Sequence, residues 1–119
     1  MTTTITPFRI EGGLLLVDAE IWSARDVPVH VVLALATSTS LTTLTPALIA
    51  KLGYSADTTH VARIDALGFE LANLRVHVHE LPHRGVDGLL GLDFLRRLDY
   101  QICSLDGRIV ASLATRALR

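Results

Sequence analysis

The chain has one cysteine, Cys103, so no disulfide can form within it and an oxidising compartment gains no support. Its setting, "YQICSL", predicts a strand in which the thiol is a small buried hydrophobe rather than a reactive group. Aromatic residues are also scarce, at 5%, which leaves the core to Leu, Val, Ile and Ala. Lysine is nearly absent, Lys51 being the only one, and the 11 basic residues are balanced by 12 acidic ones. Without a basic stripe to neutralise phosphates, nucleic acid is not an expected partner. No apolar run approaches the ~20 residues needed to span a bilayer, so no membrane contact is expected. The opening "MTTTITPFRIEGG" lacks a cationic segment followed by an apolar run, so no signal peptide is expected and the predicted location is the cytoplasm.

Apolar side chains, in contrast, are abundant. Half of the 119 residues are hydrophobic and mean hydropathy is +0.41. The length suits one domain covering residues 1–119. A domain this small and this apolar has trouble covering its own surface, and self-association into a homodimer is the expected remedy.

Short strands dominate the pattern. "ITPFRIEGG" predicts an edge-like strand, with Pro7 tolerated there and Gly12-Gly13 turning the chain. "LLLVDAEIW" and "VPVHVVLALA" follow, the latter apolar enough for the middle of a sheet. After "LTTL", Thr45 caps a helix with Pro46 at its first position, and Gly53 ends it. "VARIDAL" and "FELANLRVHVHEL" are strands divided by Gly68. The second puts Leu74, Val76 and Val78 on one face and Arg75, His77 and His79 on the other. "GLLGLDFLRRL" starts as a strand, breaks at Gly91 and becomes a short helix. "DYQICSL" and "RIVASL" form a closing hairpin around Asp106-Gly107. "ATRALR" has no assignment. About seven strands and two short helices, without regular strand–helix alternation, predict an all-β barrel or sandwich.

Two stretches resemble the retropepsin-like aspartic proteases. "VVLALATSTSLTTLTPALIAKLGY" is similar to the active-site strand, turn and following helix of that family. "GVDGLLGLDFLRRLDYQICSLDGRIV" resembles its C-terminal signature, and "ARIDALGFELANLRVHVHELP" the strands between. The resemblance implies an all-β acid-protease closed barrel with one or two short helices. It also implies a homodimer in which each subunit gives one Asp, from an Asp-Thr-Gly turn, to a shared site. That chemistry needs the pair, because two adjacent carboxylates share one proton, one activating water while the other protonates the carbonyl.

Here the matching turn reads Ala36-Thr37-Ser38. Thr37 is retained, Ala36 stands where the Asp belongs and Ser38 where the Gly belongs. A methyl group can neither take nor give a proton, so no catalytic residue is assigned. Only seven residues, Ser55 to Val61, occupy the interval where the family carries a flap hairpin. The expectation is a catalytically inactive homologue that binds or scaffolds as a homodimer, with an extended peptide or a protein as ligand and with no cofactor.

Asp18 reads as a solvent-facing strand residue, Asp87 as a turn residue, and Asp93 as a cap or ion-pair partner. His77 and His79 share a strand face, with His83 beyond a Pro turn, and imidazoles so spaced can ligate zinc. Third and fourth ligands are not evident and Arg75 would repel a cation, so a solvated strand face is expected and no metal. The hydroxyls from Thr37 to Thr45 have no adjacent base; His30 lies too far back, so they are expected to satisfy backbone groups. "TTTIT" reads as a frayed end or an interface strand, and the alternative function is an active aspartic peptidase with a non-standard site or a metal-binding β domain using His77 and His79.

Overall fold

The computed structural model describes residues 2–114. Its strands are β1 (Thr3–Pro7), β2 (Arg9–Glu11), β3 (Leu14–Trp22), β4 (Pro28–Leu35), β5 (Thr43–Leu44), β6 (His60–Ala66), β7 (Phe69–Arg75), β8 (His77–Val78), β9 (Gly88–Leu90), β10 (Leu98–Cys103) and β11 (Arg108–Leu113). Helix α1 (Pro46–Lys51) follows β5, and α2 (Leu92–Leu95) follows β9. The larger sheet runs β7-β6-β3-β4-β9-β5-β8, with β2 beside β3; a smaller one runs β1-β11-β10. The all-β expectation with two short helices is met, the sheet curling into a half-barrel.

The apolar alternation in β3 and β4 places Val17, Ile21, Val31 and Leu33 in the main core, all inaccessible to water. Leu16 and Ala34 point to the opposite face and pack with Val86 in a smaller cluster. This two-sided burial explains why both strands are nearly continuous in apolar residues. The core is otherwise Leu, Ile, Val and Ala with one buried aromatic anchor, Phe94, which is 1% exposed.

Helix α1 is too short to persist alone, so its ends and its buried face decide it. Thr45 Oγ1 accepts from the Leu48 amide at 3.2 Å, worth about 1 kcal/mol. Leu48 and Ile49 are buried, each contributing ~2 kcal/mol. Past the end, the Gly53 amide donates to Ala50 O and the Tyr54 amide to Ile49 O, with Gly53 at φ +79°. This paired closure is the one an αL glycine permits.

The hairpin between β6 and β7 turns on Leu67 and Gly68, at φ +54° and +83°. Two positive φ values in a two-residue loop suit the right-handed twist of the strands. Leu67 bears that strain because its side chain is 1% exposed, and burial offsets the cost. Its carbonyl accepts from Thr4 Oγ1 at 2.6 Å, tying the hairpin tip to β1.

Several expectations need correction. "ITPFRIEGG" is two strands that diverge to different sheets, β1 to β11 and β2 to β3. "TTTIT" is not frayed, because residues 3–7 pair in register with 108–112 of the same chain, which leaves β1 at the edge of the smaller sheet. "FELANLRVHVHEL" changes partner midway: β7 pairs β6, whereas β8 pairs β5 in parallel. The hairpin at Asp106-Gly107 closes through four residues, since Cys103 faces Arg108. Cys103 is half-buried rather than buried. Of "ATRALR", Ala114 donates its amide to Arg97 O at 2.9 Å; the other residues lie outside the described ones.

Candidate functional site

The turn after β4 is built from both sides of a strand crossing. β4 pairs in parallel with β9, Leu33 to Gly88 and Leu35 to Leu90, while β9 pairs on its other edge with β5. The residues from Ala36 to Thr42 therefore leave and re-enter the sheet on opposite edges of one strand. The Ala36 amide donates to Leu90 O at 3.0 Å, extending the ladder by one residue. Thr37 and Ser38 then form an exposed turn, with Ala36 half-buried beneath.

The returning limb is pinned to the start of α2. The Leu92 amide donates to Thr39 O at 2.8 Å and the Asp93 amide to Ser40 O at 3.0 Å. Gly91 is needed between them, because a Cβ there would lie 2.7 Å from the carbonyl carbon of Leu41. Thr42, fully buried, joins the two segments. Its hydroxyl donates to Asp93 Oδ1 at 2.8 Å and accepts from the Gly91 amide at 3.1 Å. Its amide donates to the same carboxylate, with Oδ1 at 3.0 Å and Oδ2 at 3.1 Å. The Phe94 amide adds another donor to Asp93 Oδ1, at 2.9 Å. No buried side-chain polar atom is left without a partner among the described residues.

The surface this frame presents is chemically quiet. It offers the Ala36 methyl and the hydroxyls of Thr37, Ser38, Thr39 and Ser40, and nothing in Ala36–Ser40 titrates near neutral pH. The carboxylates considered as substitutes are engaged elsewhere. Asp93 is committed to Thr42. Asp87 Oδ2 accepts from the Val32 amide at 2.8 Å, so it links two segments rather than merely turning one. Asp18 is exposed on β3 and contacts Arg9 Nη1 at 3.3 Å and His30 Nε2 at 2.9 Å. The hydrogen bond to His30 holds the Asp18 carboxyl below its ordinary value, helped by the nearby Arg9 charge and opposed by slight desolvation.

His77 and His79 do share a face, with ring centroids 5.7 Å apart. His79 Nδ1 is occupied by the Glu80 carbonyl at 2.7 Å. Among the described residues no group of three metal-ligating side chains forms. The hydroxyl run behaves as expected of backbone partners: Thr42 serves Gly91, Thr45 caps α1, and Thr43 Oγ1 donates to Leu41 O at 3.3 Å. The Thr42–Asp93 link itself was not foreseen. Its trace in the sequence is a Thr among buried Leu residues and an Asp just inside a helix that it does not cap. Between Tyr54 and β6, residues 55–59 contain turns and no strand pair, so no flap hairpin stands there.

No protein-family model and no curated protein matches the sequence. Solved structures do match. One, a retropepsin-like aspartic protease from Rickettsia conorii, superposes on 92% of this chain and 89% of its own, with a TM-score of 0.65 and 20% sequence identity. The chain has the retropepsin-like fold. The two stretches that carry the sequence resemblance, 31–54 and 85–110, are brought together by the β4–β9 ladder in this retropepsin-like frame. Among the described residues, no helix is long and apolar enough to cross a membrane.

Proposed function

We propose that this chain is a retropepsin-like domain without peptidase activity, working as a homodimeric binding or scaffold module. One observation carries the reading: the turn held by Leu90, Gly91 and Thr42 ends in the methyl of Ala36. Hydrolysis by a shared dyad needs one carboxylate from each copy, and a symmetric pair of methyl groups cannot polarise water or protonate a leaving group. The strand-free segment 55–59 supports the same reading, since it offers no hairpin to exclude water from a bound peptide. The homodimer is favoured by large apolar side chains left in water, with Ile5, Ile10 and Leu113 each more than half exposed.

The test is a peptidase assay from acidic to neutral pH on the natural chain and on A36D/S38G. The natural chain is expected to give no turnover, and the double variant to gain acid-dependent turnover if the frame also pairs as a dimer. Turnover by the natural chain that persists after repurification, and is lost on mutating a carboxylate, overturns the reading. Sedimentation across a concentration series checks the dimer; a monomer at all concentrations removes that part.

A further inference from the structure

Beside Leu41 and Asp93, and not lined by Ala36, lies a cleft of about 220 Å³ bounded by β7, Leu41, Asp93 and Arg97. We propose that it is a docking site for an extended peptide segment carrying a carboxylate, which pairs with the free edge of β7 and places that carboxylate between Arg75 and Arg97. The proposal goes beyond the reading of Ala36 and holds whether or not the turn is catalytically silent.

Three observations support it. First, five consecutive residues of one strand, Leu71 to Arg75, line the cleft. β7 ends the larger sheet and is bonded on one side only, to β6. A cleft that follows an open strand edge is shaped for an added strand, whose main chain supplies hydrogen bonds of its own. Second, the volume is below the roughly 300–1,000 Å³ of sites that enclose a whole small molecule, so it suits one side chain or chain end of a longer ligand. Its floor has an apolar share from Leu74, which is buried, and from the half-buried Leu41 and Leu71.

Third, the charge is positive and unspent. Among the described residues neither Arg75 nor Arg97 has an ion-pair partner. Arg97 Nε donates to the Asp93 carbonyl at 3.1 Å, which fixes the guanidinium at the rim while its terminal nitrogens remain available. Asp93 is the one carboxylate lining the cleft, and its oxygens already accept from Thr42 and Phe94. Two guanidiniums against one satisfied carboxylate leave a site that favours an anion of planar, forked geometry.

The test uses the full chain and three short acetylated Val/Thr peptides, titrated by fluorescence anisotropy and by amide NMR. One ends in a free carboxylate, one is amidated, and one is amidated with an internal Glu. At least one carboxylate-bearing peptide is expected to bind, shifting the amides of residues 71–75, and binding weakens as salt rises. The peptide that binds tells a chain terminus from an acidic side chain. R75Q and R97Q, both at exposed positions, are each expected to weaken that binding about fivefold with unchanged thermal stability. Equal binding of the uncharged peptide, unchanged affinity in R75Q/R97Q, shifts confined to other residues, or no binding at about millimolar peptide each overturn the proposal. Peptidase turnover is not a readout here, so its presence or absence bears only on the reading of Ala36.

Discussion

Removing one oxygen from the centre of the frame is the sharpest perturbation available. Thr42→Val keeps shape and burial but deletes a hydroxyl that donates to Asp93 and accepts from Gly91. Loss of a hydrogen bond to a charged acceptor costs about 1.5–3 kcal/mol. The buried Gly91 amide also loses its partner, for which about 1–3 kcal/mol is usual, although small backbone movement recovers part of it. A total of roughly 3 kcal/mol follows, against a global stability of about 5–15 kcal/mol, so the variant still folds. Thr43→Val is the control. It makes the same chemical change one residue along, at a side chain that is also buried, but its bond to Leu41 O is neutral and long at 3.3 Å. Its expected cost is below about 1 kcal/mol. Urea unfolding followed by circular dichroism measures both, with unchanged slopes showing that the denatured state is comparable. The Thr42→Val midpoint in a thermal scan is expected about 10 °C lower. In an Asp93→Asn background the Thr42→Val cost is expected to shrink by more than ~1 kcal/mol, because the two groups act together. Equal losses for the two valine variants, or full additivity with Asp93→Asn, would refute the claim that this network holds the turn.

Gly91→Ala drives a Cβ into the Leu41 backbone and is expected to cost more than ~3 kcal/mol, read as loss of dispersed amide signals or insoluble expression. Gly68→Ala has two penalties, φ +83° and a Cβ driven into the side chain of Thr4. Its unfolding cost of about 2–3 kcal/mol is expected to fall when Thr4→Gly, which removes every Thr4 side-chain atom in the way, is combined with it, since only the second penalty is steric. Asp65 has its carboxyl raised, first by desolvation and then by Glu70 and Glu20, which face it from β7 and β3. A raised folded value means the native chain binds that proton more tightly than the unfolded one, so this contribution favours folding at low pH and is lost as pH rises through the folded value. Asp65→Asn is therefore expected to equal or slightly exceed the natural chain above that value, by less than ~1 kcal/mol because the half-buried site keeps some contact with water, and to lose the advantage below it. Asp18 titrates in the opposite sense in both proteins and cancels in the comparison. A constant difference across pH 3–7 (a range of about four units around the usual carboxylate values) argues against that cause.

Much of the frame was readable because its signals are local. Thr45, Pro46 and Gly53 mark α1 within a few residues of one another, and each group acts on its own neighbours. The alternation of Leu74, Val76 and Val78 also survives, although the strand carrying it divides between two partners. What could not be read is whatever depends on residues far apart in the chain. The 51-residue separation of Thr42 and Asp93 hides their bond, and nothing near "TTTIT" reveals that residues 3–7 pair with residues 108–112.

By itself the sequence determined the chemistry of the central turn: no ionisable atom can come from Ala36, Thr37 or Ser38, whatever the fold does with them. It also determined an apolar core poor in aromatics and the helix ends. Tertiary structure alone decided that Gly91, Thr42 and Asp93 grip that turn, and that Arg97 shares a cleft with Arg75 at the edge of β7. The reason is physical. Proton chemistry belongs to a side chain and travels with it, whereas a contact between distant segments exists only when the whole sheet has curled to bring them together.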